Sequence, residues 1–225
     1  MAEDSAVTIP DEPKVGVLGG TGDQGKGLAL RLAMAGIPVG IGSRDQSRAE
    51  DAATETGYGC IGRDNATIAR WCDIAIVAVP WAGHEALVAS LADPLAEKVV
   101  IDCVNPLGFD KRGAFPLPVP EGSAAEQAQA LLPDSVVVGA FHNVSAVLLL
   151  DRDLTEVETD VLVLGDVRAA TDAVQRLVSL VPGMRGVFGG RLRNSAQIEA
   201  LTANLISINR RYKIHAGIKI TDLPE

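Results

Sequence analysis

The stretch KVGVLGGTGDQGKGLALRLAM, Lys14 to Met34, decides the fold. Lys14 to Leu18 is short, apolar and β-branched at alternate positions, which predicts a buried strand. Gly19 to Gly22 breaks that pattern. Gly25 to Met34 resumes with good helix formers at helical spacing, and Ala35-Gly36 ends the run. Gly20-Thr21-Gly22-Asp23-Gln24-Gly25 is therefore a G-x-G-x-x-G set between a strand and a helix. Alone the motif is weak, and this context gives it meaning. The first glycine permits a tight turn, the second lets the backbone approach a pyrophosphate, and the third lets helix and strand pack closely. The helix N-terminus offers unpaired N–H groups and a positive dipole end to phosphate. A glycine-rich turn with no ligand is the plainer alternative.

The next elements bear on which dinucleotide is preferred. Ile37 to Gly42 reads as a second strand, followed by Ser43-Arg44-Asp45 and a helix from about Gln46 to Thr56. Sites selective for NAD place Asp or Glu roughly twenty residues past the glycines, on the ribose 2′-hydroxyl. Here Ser43 and Arg44 stand in that place, with Arg48 one helical turn on. An arginine holds a 2′-phosphate through paired, charge-assisted hydrogen bonds that an acid would repel. The expected nucleotide is NADP(H), with Asp45 facing away or capping the helix. Two surface arginines on a solvated helix start are the alternative.

Strand and helix signals then alternate in the manner of βαβ units. Asp64 or Asn65 can cap a helix running to Trp71; Asp73 to Val79 is a buried strand stopped by Pro80; a helix covers about Gly83 to Leu91. Lys98 to Cys103 is another strand. Asn105 to Gly122, with four prolines, reads as a long loop. Ser123 and Glu126 form a capping box for a helix to Leu132. Strands follow at Ser135 to Ala140, Val161 to Leu164 and Met184 to Phe188, with helices over Arg168 to Leu180 and Asn194 to Tyr212. The fold class expected is α/β, a Rossmann-type NADP-binding domain with a mostly parallel sheet and a small C-terminal α/β part.

Bulk properties narrow the partners. Of 225 residues, 47% are apolar but only 4% aromatic, so the core is aliphatic, as in parallel sheets buried on both faces. A net charge of -9 argues against nucleic acid and anionic membrane as partners. Three scattered cysteines suggest neither disulfides nor a metal site. Met1 to Pro13 is acidic and polar, a flexible extension rather than a signal peptide. No apolar run is long enough for a bilayer span, and the protein is expected to be cytoplasmic.

Gly19-Gly20-Thr21-Gly22 with Gly25 to Leu32, then Gly42-Ser43-Arg44, Cys72-Asp73-Ile74-Ala75 leading to Pro80-Trp81, and the closing Gly217-Ile218-Lys219 together resemble the F420-dependent NADP oxidoreductases. The resemblance covers nearly the whole chain from Lys14. It implies hydride transfer between NADP(H) and the deazaflavin coenzyme F420, directly from nicotinamide C4 to deazaflavin C5 or back, in a homodimer. It implies residues 14–150 as the NADP-binding domain and 151–225 as a small part completing the deazaflavin cleft. Thr21 to Gln24 would contact the phosphates; Ser43, Arg44 and Arg48 the 2′-phosphate; Val79 and Asn105 would line the dinucleotide channel. His142 would lie near the rings, Val144 and Ala146 would border nicotinamide and deazaflavin, and Ala216 would meet the deazaflavin.

Such chemistry asks the protein for positioning, with reacting atoms roughly 3–3.5 Å apart, and no nucleophile, metal or obligatory general base. His142 is expected to orient a ring, with a packed structural histidine as the alternative. His84 is expected to be a cap or surface group. Arg191, Arg193, Arg210, Arg211, Lys213 and Lys219 make the C-terminal region locally basic, suited to the acidic tail of the deazaflavin or equally to a solvated face. Two other functions remain: an NADPH-dependent imine or carbonyl reductase of the pyrroline-carboxylate reductase type, and a non-catalytic NADP sensor.

Overall fold

A computed structural model of the chain describes residues 9–10 and 12–223. Most of the N-terminal extension, residues 1–8 and 11, lies outside the described residues.

The first half runs β1 (Val15–Leu18), α1 (Asp23–Met34), β2 (Val39–Ser43), α2 (Gln46–Thr56), β3 (Ile61–Asp64), α3 (Asn65–Trp71), β4 (Ile74–Val77), α4 (His84–Ser90), α5 (Ala92–Leu95) and β5 (Val99–Asp102). A 3₁₀ turn, Trp81–Gly83, precedes α4. The second half runs β6 (Leu107–Asp110), β7 (Gly113–Pro116), α6 (Ala124–Leu131), β8 (Val136–Gly139), α7 (Ala146–Leu150), β9 (Thr159–Gly165), α8 (Arg168–Ser179), β10 (Met184–Gly190) and α9 (Ser195–Tyr212).

Eight strands form one sheet in the order β10-β9-β8-β5-β4-β1-β2-β3. Every pairing is parallel except β8 with β9. The order reverses between β1 and β4, the switch point outside whose carboxyl ends ligands bind in open α/β sheets. Strands β9 and β10, beyond residue 150, extend this same sheet.

Side-chain alternation divides the core between the two faces. Val15, Val17, Ile74, Ile76, Val99 and Ile101 join Leu28 and Leu32 of α1 and Val174 and Val178 of α8 on one side. Leu18, Ala75, Val77 and Val100 join Ile68 of α3, Val88 of α4 and Ala128 of α6 on the other. At about 25 cal/mol per Å², such aliphatic burial is the main stabilising contribution.

The expected elements between Lys14 and Tyr212 form, with ends displaced by a few residues. The exception is the Asn105 to Gly122 loop, which contains the β6–β7 hairpin. Asp110 closes its two-residue turn by accepting from the N–H groups of Arg112 and Gly113. The prolines sit at the strand ends or beyond, where no ladder donor is required. Strand β7 packs on α9. Three further short elements, β3, α5 and α7, have too little periodicity of their own to be expected from the sequence.

Candidate functional site

Three carboxyl-end turns, after β1, β2 and β4, meet at the switch point. Gly19 adopts φ +66°, and a Cβ there would lie 2.0 Å from Val79 Cγ1, so the glycine turn and the end of β4 are in tight contact. Gly20 donates its N–H to the Gly42 carbonyl at 3.0 Å, linking the turn to β2. A Cβ on Gly22, by contrast, would meet nothing within 4 Å. Gly22 is the N-cap of α1 and makes no side-chain cap bond. Helix α1 therefore starts at Asp23 with no side-chain cap on its first N–H groups and open space beside Gly22, an end at which anionic phosphates are favoured.

At the end of β2, Ser43 is buried and its Oγ accepts from the Asp45 N–H at 3.2 Å. Asp45 turns its carboxylate onto α2, accepting from the N–H groups of Ser47 and Arg48; its pKa is lowered by the Ser47 hydroxyl and then by the Arg48 N–H. The acid is thus committed as a cap. Arg44 and Arg48 are exposed, and neither forms a salt bridge among the described residues. Two unneutralised guanidiniums beside the second strand suit a 2′-phosphate.

The opposite wall comes from β5 and β8. Asn105 donates from Nδ2 to the His142 carbonyl at 2.8 Å, while its Oδ1 has no partner among the described residues. Phe141, fully buried, adopts φ +63°; that left-handed turn costs a non-glycine residue about 1–2 kcal/mol and directs the chain into His142. The His142 ring is buried with neither nitrogen hydrogen-bonded. Burial pushes its pKa down to about 4, against the pull of Asp102, and holds it neutral near pH 7. Gln24 of the glycine turn reaches the Phe141 carbonyl at 3.4 Å. The two walls therefore converge, and orphaned polar atoms of this kind are what an uncharged, hydrogen-bonding ring edge satisfies. The residues present fit a bound dinucleotide.

Val144 is buried and Ala146 opens α7. A Cβ on Gly27 would stand 2.6 Å from Leu149 Cβ, and Arg31 donates to the carbonyl oxygens of Leu148, Leu149, Asp151 and Leu154, so α1 fixes α7. Ala216 lies on the C-terminal segment, its N–H bonded to Asn209 Oδ1 at 2.6 Å. That segment is tied to β9: Asp160 donates to the Ile218 carbonyl and accepts from the Ile220 N–H. No hydrogen bond among the described residues joins it to the His142 turn.

Sequence reasoning missed Thr202, whose hydroxyl donates to the His142 carbonyl at 3.0 Å and accepts from Asn143 Nδ2 at 2.8 Å; this brings α9 to the site. It also gives His84 as a cap or surface group. His84 is in fact fully buried, bonded to Asp102 at 2.6 Å and Gln127 at 2.9 Å. The local signal, a histidine at a helix start, is the same for both outcomes.

Other chemistry finds no support among the described residues. No group of three or more His, Cys, Asp or Glu could hold a metal. All three cysteines are free, and burial pushes Cys60 and Cys72 up to about 11 and raises Cys103, so none is a ready nucleophile. No helix is long and apolar enough to cross a membrane. A cavity of about 450 Å³ lies between α8 and the edge strand β10, lined by Phe188, Arg168 and Arg191 among others. It is five strands from β1 along the sheet, and its arginines already pair with Asp172 and Asp166.

Residues 14–106 match the family model described as NADP oxidoreductase, coenzyme F420-dependent. The chain is 40% identical over 224 residues to the F420-dependent NADP reductase of Methanothermobacter marburgensis, covering 94% of this chain and 100% of that protein. It is 38% identical over 223 residues to the F420-dependent NADP reductase of Methanocaldococcus jannaschii, covering 93% and 99%. A crystal structure from Arthrobacter sp. FB24, provisionally described as an F420-dependent NADP-reductase, superposes with a TM-score of 0.81 at 25% identity, over 93% of this chain and 99% of that one.

Proposed function

The chain belongs to the coenzyme F420-dependent NADP oxidoreductase family, and from that membership we propose that it transfers hydride between NADP(H) and coenzyme F420. The observation that carries this reading is the pairing of an open, uncapped Gly22 at the start of α1 with an end of β2 where the nearby acid is used up as a helix cap and Arg44 has no acidic partner among the described residues. The relatives match along their full length, which favours this activity over an imine reductase or a sensor.

Bound side by side, the two coenzymes supply the redox chemistry. The protein's own residues hold and orient. Gly20, Thr21, Gly22, Asp23, Gln24 and Gly25 form the phosphate cradle. Ser43, Arg44 and Arg48 hold the 2′-phosphate, and Val79 lines the channel behind the glycine turn. Asn105 Oδ1 and the neutral His142 ring offer hydrogen bonds to ring edges, and Val144 and Ala146 border the two rings. The part beyond residue 150, through α9 and the segment carrying Ala216, completes the deazaflavin cleft. Burial of the His142 turn excludes water from the transfer.

The enzyme works as a cytoplasmic homodimer in this reading. Three free thiols suit a reducing compartment. Exposed Phe109, Phe115 and Tyr212, on the hairpin and on α9, offer apolar surface to a second copy. Light scattering on the eluting protein gives the oligomeric state.

Mixing the protein with NADPH and oxidised F420 and following the deazaflavin's visible absorbance tests the activity. Bleaching that NADH does not support is expected. Binding of NADPH without bleaching would remove the deazaflavin assignment.

A further inference from the structure

A sealed polar cluster lies directly behind the rim. His84, the first residue of α4, places Nε2 2.6 Å from Oδ2 of Asp102 and Nδ1 2.9 Å from Oε1 of Gln127 on α6. The Gln127 amide is oriented by its other end, because Nε2 donates to Glu121; its oxygen must then face the imidazole. Both ring nitrogens face acceptors, so the ring donates from both as an imidazolium. The side chains of His84 and Asp102 are each 0% exposed. Burial opposes the charge on His84, but the bonds to Asp102 and Gln127 outweigh it and raise its pKa. Such a pair is costly to desolvate, and apolar residues of similar volume hold a core at least as well.

What the pair does is shown by the remaining bonds of Asp102. Its Oδ1 accepts from the Val104 N–H at 3.0 Å, and its backbone carbonyl accepts from the Ala140 N–H at 3.0 Å. Val104 leads into Asn105, and Ala140 leads through the left-handed Phe141 into His142. Those two residues are themselves joined, Asn105 Nδ2 to the His142 carbonyl. On the other side Trp81, just past the end of β4, stacks on the His84 ring with centroids 5.4 Å apart. The Asp102 side chain thus braces the Asn105 segment directly and the His142 turn through the Asn105–His142 bond, while its backbone holds Ala140 as any residue at that strand end would.

We propose that the His84–Asp102 pair is a positioning device for the hydride-transfer end of the cleft, setting the Asn105 and His142 turns while nucleotide anchoring stays with the glycine turn and Arg44. This rests on the hydride-transfer reading above. A misplacement of about 1 Å can cost on the order of a hundredfold in rate.

The test compares Asp102→Ala, which removes the acceptor for Val104, with Asp102→Asn, which retains it. Single-turnover reduction of F420 by NADPH should slow by roughly 10- to 100-fold in D102A and recover most of that in D102N, with the KM for NADPH within about threefold of wild type in both. An unchanged rate in a folded D102A, or a KM for NADPH that rises in step with the loss of rate, overturns the proposal. Should D102A not fold, wild-type protein labelled with ¹⁵N-histidine decides: saturating NADP+ should shift the His84 ring resonances, and unresponsive resonances overturn it. A wild-type control that binds NADPH but does not bleach F420 removes instead the activity itself, and this inference falls with it.

Discussion

A Cβ on Gly25 would stand 2.5 Å from the Cα of Gly20, whereas one on Gly22 would meet no atom within 4 Å. The third glycine of the turn is therefore held by packing within the protein, and the second is held open toward a ligand.

That contrast separates two alanine variants. Gly25→Ala forces backbone against backbone and should lower stability by about 1–3 kcal/mol, read as a fall in Tm without ligand. Gly22→Ala, at φ -84°, meets no clash and should lower the Tm of the free protein by only about 2–4 °C, since Ala is a poorer N-cap than Gly by about 1 kcal/mol. Its NADP+ affinity, measured by calorimetry, should fall at least tenfold. Equal affinity losses without a Tm difference would contradict the packing argument.

Arg44 is exposed and free of acidic partners among the described residues, so its charge is available to the 2′-phosphate. Arg44→Glu should raise the KM for NADPH steeply, by about 100-fold or more from reversing a charge-assisted contact, and leave the KM for F420 little changed. Steady-state kinetics with each coenzyme varied in turn would show it. Equal effects on both constants would remove Arg44 from the 2′-phosphate site.

Glu199 of α9 accepts from the N–H groups of Ala124 and Ala125 at the start of α6. Burial nevertheless pushes its pKa up to about 7 from 4.5. The folded protein then binds a proton that the unfolded chain has released, so the contribution of this one group to stability declines as pH rises from about 4.5 to about 7, on the order of 3 kcal/mol in all. The raised pKa of His84 acts in the same direction. Asp45, Asp64 and Asp160, all lowered, lose their contribution only at more acid pH. His142, pushed down to about 4, acts the other way: between about pH 4 and 6.5 the unfolded chain holds a proton that the folded protein does not, so this group offsets Glu199 there. Thermal melts from about pH 5 to pH 8 should show the Tm of wild type falling relative to that of Glu199→Gln as pH rises from about 5 to 7; a Tm difference that does not change with pH would contradict the assignment.

Asp160 takes two bonds from Arg185, at 2.6 and 2.7 Å, and Arg185 also donates to the Ile220 carbonyl at 3.0 Å. This clamp fastens the segment that carries Ala216. Asp160→Asn should loosen that segment, seen as faster proteolytic trimming from the C-terminus, and should raise the KM for F420 by about threefold to tenfold while NADPH is unaffected. An unchanged KM for F420 would detach Ala216 from the deazaflavin.

The sequence by itself determined the parts whose physics is local. The glycine spacing between Leu18 and Lys26, the apolar runs that became β4, β5 and β8, and the Ser43-Arg44 pair on the second strand all declare themselves within a few neighbours, because dihedral freedom, side-chain period and charge are properties of short segments. Only the tertiary structure decided which distant groups meet. The capping box at Ser123 is legible, but not that Glu199, 75 positions beyond Ala124, adds its carboxylate to the same helix start. His84 carries no local mark of burial; its partners Asp102 and Gln127 come from other elements. The β6–β7 hairpin is masked by four prolines and takes its support from the packing of β7 on α9, not from an alternation of its own. Burial of a polar group is a property of the assembled core, and there the sequence is silent until the strands are in order.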